Sequence, residues 1–176
     1  MPKIIESLRE RLLKEARAQS RQAGYDSLTM RGVAQACGVG VGTLYNYFPS
    51  KDVLVASFVA EDWHSVMANV FSESAGRSAA QVLQAEYDGI RRFLAMQERL
   101  FSDPGAIRTY AALPPGRHEQ LRAQLAVPVE RALVEGGHPI ASFLSLFLAE
   151  ALLAWAPAGV PWETLFESIR PLLGRC

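Results

Sequence analysis

A hydroxyl, an amide and a phenol recur at helical spacing within LTMRGVAQACGVGVGTLYNYFPSKDVL, the stretch from Leu28 to Leu54. At about 100° per residue, Thr43, Asn46 and Tyr47 share an outward face with Gly40. Leu44 and Phe48, with Val39 from the preceding turn, face the other way. The outward face carries hydrogen-bond donors and acceptors but no nucleophile beside a base. Its chemistry is recognition: groups of this kind suit base edges and phosphates. Glycine costs a helix about 1 kcal/mol against alanine, so Gly40 and Gly42 in so short a helix indicate that bulk is avoided, as close approach to a DNA backbone requires.

Two short helices must position that face. Thr29 is an N-cap for a helix over Met30–Cys37, whose Val33, Ala34 and Cys37 lie on one side. Gly38 can take a left-handed backbone at its end. The second helix spans Gly40–Phe48 and is stopped by Pro49, after which Ser50 caps a new helix. Two helices joined through a glycine turn form the helix-turn-helix pattern, whose second helix enters the DNA major groove.

The run GVGVGTLYNYFPSK resembles the signature of TetR/AcrR-family bacterial transcriptional regulators. Gly38, Val39, Gly42, Thr43, Leu44, Tyr45, Tyr47, Phe48 and Lys51 match its G-V-x-x-G-T-L-Y-x-Y-F-x-x-K pattern, and Gly24, Thr29 and Ala34 also fit. The resemblance covers residues 8 to 55. It implies a DNA-binding set of Thr29, Gly40, Val41, Gly42, Thr43, Tyr45, Asn46, Tyr47 and Lys51. Asn46 suits an adenine edge or another nearby partner, and Tyr47 a phosphate. Tyr45 either contacts DNA or braces the helix. Thr29 and Lys51 each combine a structural reading with phosphate binding at a helix N-terminus. Position 41 is a departure: relatives often carry Lys, Arg or a small polar residue there, and Val41 is left with a thymine methyl or with packing. This leaves the operator sequence open, not DNA binding.

Composition agrees with a DNA-facing lobe joined to another. Of 176 residues, 49% are hydrophobic and 20% charged, which suits a globular chain with a real core. The formal charge is zero overall, yet residues 1–51 carry 8 − 4 = +4 and residues 52–176 carry 10 − 14 = −4. Cys37 and Cys176 give neither a disulfide framework nor metal spacing, and Cys37 reads as a small core residue. The amino end lacks an apolar signal core, and the run Ile140–Ala156 is too short to span a bilayer. A cytoplasmic chain with no membrane partner is expected.

Along the chain, the first helix is expected over residues 3–23, ended by Gly24, with Arg9, Arg11, Lys14, Arg17 and Arg21 mostly on solvated surface. A long helix over Ser50–Ser72 leaves the helix-turn-helix. Further helices are expected over Ala79–Phe101, Ala106–Leu113, Arg117–Glu135 (with a kink at Pro128), Pro139–Ala156 and Pro161–Leu173, with turns at Asp103–Gly105 and Pro114–Gly116. Trp63, Met67, Phe71, Tyr87, Phe93, Met96, Phe101 and Tyr110 are core residues or the lining of a mainly apolar ligand pocket.

The helix after Pro139 is apolar nearly all round, so it needs partners on more than one side. The resemblance implies that the last two helices pair with those of a second subunit. Phe143, Phe147, Ala151, Trp155, Phe166 and Ile169 are the interface candidates. His64, His118 and His138 share no spacing with carboxylates, so no metal and no cofactor is expected, and no catalytic set is visible.

The expectation is an all-α protein with a three-helix DNA-binding lobe over residues 1–50 and a helical effector-binding and dimerisation lobe over 51–176. It would act as a homodimeric regulator, a repressor, on palindromic operator DNA and be released by an unknown small, mainly hydrophobic effector. The alternatives are a small-molecule binding protein that keeps the helix-turn-helix as scaffold, or an α-helical enzyme, against which the missing catalytic set argues.

Overall fold

The computed structural model describes residues 7–102 and 116–174. Tyr110, Cys176, the expected helix over 106–113, the turn at 103–105 and the prolines at 114 and 115 lie outside them. Among the described residues the chain is helical throughout, with α1 Leu8–Ser27, α2 Met30–Ala36, α3 Val41–Tyr47, α4 Lys51–Ser72, α5 Ala79–Met96, α6 Glu98–Phe101, α7 Arg117–Glu135, α8 Ala141–Trp155 and α9 Trp162–Ile169, followed by a 3-10 turn over Arg170–Leu172.

Local chemistry accounts for most of these bounds. The first described helix starts at Leu8 because Ser7 and Glu10 form a capping box: Glu10 N donates to Ser7 Oγ at 3.3 Å, and Ser7 N donates to Glu10 Oε2 at 2.7 Å; residues 3–6 of the expected helix lie outside the described residues. Gly24, at φ 80° and ψ −179°, breaks the helix, and a further turn runs to Ser27. Ser50 caps α4, with Val53 N donating to its Oγ at 3.2 Å. The expected helix over Ala79–Phe101 divides at Gln97, whose backbone (φ −107°, ψ 13°) leaves the helical region as its side chain turns inward. The last helix stops at Ile169 because Pro171 brings no N–H, and a 3-10 turn replaces it. Helix α7 continues through Pro128.

The described residues fall into two compact units, one within Met1–Trp63 and Met96–Leu113, the other within His64–Ala95 and Pro114–Cys176, and the division falls inside α4. In the first unit Leu12, Leu13, Ala16, Leu28, Val33, Leu44, Leu54 and Phe58 are buried. A charge cluster ties its helices. Asp62, nearly buried on α4, lies 2.7 Å from Arg17 Nε and 3.1 Å from Arg21 NH2, and accepts from the buried Gln97 amide at 2.6 Å. Its neighbour Glu61 takes Arg9 at 2.9 Å and Arg17 at 3.2 Å. The Arg17 Nε contact is close without the alignment of a hydrogen bond, so charge rather than direction holds it.

In the second unit α7 packs on α8. Glu130 bonds Ser142, and His118 meets Glu150 at 2.9 Å, so the two helices run antiparallel. Leu125, Val129 and Leu133 of α7 and Leu144, Leu148 and Leu152 of α8 are buried. Tyr87 of α5 donates to the Val160 carbonyl at 2.6 Å and lies 5.6 Å from the Trp162 ring.

Removing the nearly buried carboxylate of Asp62 strands the mostly covered Arg17 and the buried Gln97 amide that it serves. Asp62→Ala is expected to lower the unfolding free energy by about 3 kcal/mol, against under about 1 kcal/mol for the half-exposed Arg21→Ala. Urea denaturation followed by circular dichroism measures both, and equal small losses would show that Asp62 is not the hub.

Candidate nucleic-acid interface

The reading surface begins with two caps. Thr29 Oγ1 accepts from Gly32 N at 3.1 Å and opens α2. At the other end Gly38 takes φ 70°, and Val39 N reaches back to the Ala34 carbonyl at 3.0 Å, so the chain turns sharply toward α3. Gly40 then stands at the N-cap of α3 without a side-chain bond, leaving the first amides of that helix free of a capping side chain.

Leu44 at 0% and Phe48 at 2% exposure anchor α3 inward, with Val39 half-buried. Gly40, Val41, Gly42, Thr43, Tyr45, Asn46 and Tyr47 are all exposed. The rings of Tyr47 and Phe48 lie 6.4 Å apart, so an exposed phenol sits next to a buried anchor. Val41, Tyr45 and Tyr47 are among the large hydrophobic side chains left in solvent, where a chain with no partner here would gain nothing from them.

Lys51, in the first turn of α4, holds its ammonium 3.9 Å from the centre of the Tyr25 ring. The Tyr25 hydroxyl donates to Asp52. Tyr25 is therefore a platform that fixes Lys51 through its ring and the start of α4 through its hydroxyl. Sequence spacing did not reveal it, because Tyr25 follows the break at Gly24 and lies outside the periodic part of α1. Arg31 was also passed over. It is an exposed cation in the first turn of α2, two residues after the Thr29 cap, and that proximity to a cap was a legible sign of an anion-facing helix start.

Most cations of α1 are exposed, as expected, with Arg17 half-buried, but several are engaged by neighbouring groups. Arg9 lies 5.6 Å from the Phe48 ring centre and Arg17 5.9 Å from that of Phe58, besides their carboxylates. Arg11 donates to the Cys37 carbonyl at 2.9 Å, while Cys37 Sγ, buried, approaches the Arg11 carbonyl at 3.7 Å.

The other candidate residues divide between the units. Of the pocket candidates, Trp63, Met96 and Phe101 belong to the first unit and Met67, Phe71, Tyr87 and Phe93 to the second. Met67, Tyr87 and Phe93 are buried and Phe71 is half-buried. Among the interface candidates Phe143 is 73% exposed, Phe147 and Trp155 are exposed, and Ala151 and Phe166 are half-buried. Ile169, at 4%, is taken up by the core of its own chain.

Helix α7 adds exposed Val127 and Val134. Measured from Glu130 toward its partner Ser142, both are turned about 40–60° to one side, and the antiparallel α8 turns Phe143 and Leu146 to that same side. One apolar face thus spans α7 and α8. Among the described residues, no helix is long and apolar enough to cross a membrane, and no group of three or more His, Cys, Asp or Glu is placed to hold a metal ion.

Residues 12–58 match the model for bacterial regulatory proteins of the tetR family. The chain is 30% identical over 156 residues to the HTH-type transcriptional repressor KstR of Mycobacterium tuberculosis, covering 84% of this chain and 70% of that protein. It is 41% identical over 58 residues to KstR of Rhodococcus jostii, covering 33% of this chain but only 27% of that relative's length. The fold is similar to that of the R. erythropolis transcriptional repressor QsdR, at TM-score 0.62 and 20% identity over 95% of this chain and 94% of that one. It is also similar to RolR crystallised with resorcinol, at TM-score 0.61 and 17% identity over 95% and 87%.

The turn between α2 and α3 offers a direct check. A Cβ at Gly38 would meet no atom within 4 Å, so the cost of Gly38→Ala is conformational alone. It is expected to destabilise the chain by about 1–2 kcal/mol, and Gly38→Asn by less, because Asn tolerates the left-handed region. Equal stability of all three in urea would show that the turn does not need that conformation.

Proposed function

Because the chain belongs to the tetR family of bacterial regulatory proteins, we propose that it is a transcriptional repressor that binds palindromic operator DNA as a homodimer and is released by a small, mainly hydrophobic effector. It is a regulator and not an enzyme. The observation that carries the reading is α3, a short helix anchored by Leu44 and Phe48 whose exposed side chains are hydrogen-bonding groups and glycines. In this reading Asn46 and Thr43 meet base edges, and Tyr47, Thr29 and Lys51 meet phosphates. Tyr45 and Val41 cover apolar base surface, and Gly40 and Gly42 admit the backbone.

Residues 1–50 form the DNA-binding lobe and 51–176 the effector-binding and dimerisation lobe of this proposal. The exposed face of Phe143, Phe147 and Trp155, extended by Val127 and Val134, supports pairing with a second copy through α7 and α8. Two reading helices then address two half-sites one helical turn apart. Helix α4 links the lobes, and an effector that prefers a tilted α4 by a few kcal/mol empties the operator. The absence of any membrane-crossing helix among the described residues is consistent with a cytoplasmic regulator.

Two measurements test this. Tyr47→Ala and Lys51→Ala are each expected to weaken operator binding about tenfold, the loss of one or two hydrogen bonds, with the dimer mass unchanged by sedimentation. Unaltered affinity in both removes them from the contact surface. Selection from a random duplex pool should enrich an inverted repeat, with affinity falling as salt rises. No enrichment by a folded dimer, before and after refolding to strip bound effector, would leave the helix-turn-helix as scaffold for a ligand-binding protein.

A further inference from the structure

Helix α5 carries one residue that its apolar stripe does not explain. Val82, Leu83, Glu86, Tyr87, Gly89, Ile90 and Phe93 are its buried positions, and Glu86 among them has no exposed surface. Both carboxyl oxygens are buried with no hydrogen-bond partner. Every other charged side chain that is buried in the described residues, namely Asp62, has arginines and an amide around it. Burial alone pushes the Glu86 carboxyl well above its usual range and so favours the protonated form. A buried polar group without a partner is costly, and native chains keep few of them without a use.

The stripe that carries it is otherwise apolar. One turn along the same stripe, a Cβ at Gly89 would lie 3.1 Å from Met67 Cε and 3.0 Å from Val70 Cγ2, so α4 and α5 are in close contact through that glycine. Tyr87 and Phe93 flank Glu86 on α5, and Phe71 lies one turn beyond Met67 on α4. All of these belong to the second unit. Soft and aromatic side chains on the same two helices as one buried polar group are the kind of residues from which a site that fixes an apolar ligand by a single oriented bond is built.

We propose that Glu86 is the polar anchor of a site for an uncharged, mainly apolar ligand that presents a hydroxyl or carbonyl oxygen. This rests on the effector-regulated reading given above and names the chemistry of its ligand. A protonated carboxyl both donates and accepts, so it matches either oxygen. A cationic ligand would instead bury two charges in an apolar setting, where desolvation offsets their attraction.

The test uses the full chain with three probes, octanol, naphthol and octylammonium, with thermal stability read as a function of probe concentration. Octanol or naphthol raises the Tm of the wild-type protein. Glu86→Gln, which keeps a donor and an acceptor, binds within about threefold of wild type, whereas Glu86→Leu binds about tenfold or more weakly. Without probe, Glu86→Leu melts at or above the wild-type temperature, since it removes an unpartnered group.

Four results would each overturn the proposal: no shift with any probe, equal binding by the Leu variant, tighter binding of octylammonium that Glu86→Gln abolishes, or a lower Tm for the unliganded Leu variant. Operator binding is measured on the same preparations. Probe binding through Glu86 by a chain that ignores DNA overturns the repressor reading and leaves the site. Operator binding without Glu86-dependent probe binding does the reverse.

Discussion

A helix of seven residues does not hold itself together in water, because nucleation costs more than its few internal hydrogen bonds return. Both α2 and α3 are of that length. What keeps them helical is burial at fixed places: Met30, Val33 and Ala34 on one, Leu44 on the other, with Phe48 closing the end of α3. The exposed side chains of α3 are presented only because those inward groups are held. Thr29 and Gly38 set where each helix starts and how the chain turns, but the anchoring is hydrophobic.

The frame beneath them is electrostatic as well as apolar. Glu61 and Asp62 of α4 gather Arg9, Arg17 and Arg21 of α1, and Gln97 completes the set from just before α6. The exposed pairs in this cluster contribute little singly. Asp62 differs because it is nearly buried and has several partners, so its geometry is fixed by what surrounds it. Three segments far apart in sequence meet at one carboxylate. The helical run after Ala79 breaks at Gln97, the residue whose amide bonds that carboxylate.

Much of this was legible in the chain itself. Caps at Thr29 and Ser50, the glycine turn at 38 and the inward pair Leu44 and Phe48 follow from local rules of spacing and backbone freedom, and the structure places them accordingly. What escaped was long-range pairing. Nothing local to Arg17 announces a carboxylate at position 62, and cations that read as surface are, while still largely exposed, drawn into ion pairs there. The cap at Ser7, set by its box with Glu10, was also not read from the chain. Ile169 faces inward because α9 gives its one apolar side to its own chain, whereas exposed Val127 and Val134 on α7 look ordinary until α8 is laid beside them. Glu86 did leave a sign: a carboxylate in register with Leu83, Ile90 and Phe93.

The neutralised arginines of α1 bear on how such a protein would find its site. Three arginines share two carboxylates, so part of their charge is already offset and contributes less to counterion release on meeting a duplex than exposed cations such as Arg31 do. To that extent such a reader would be held less firmly by the bulk of a chromosome. Less of it is sequestered on irrelevant sequence, and a modest number of copies suffices to fill a true site.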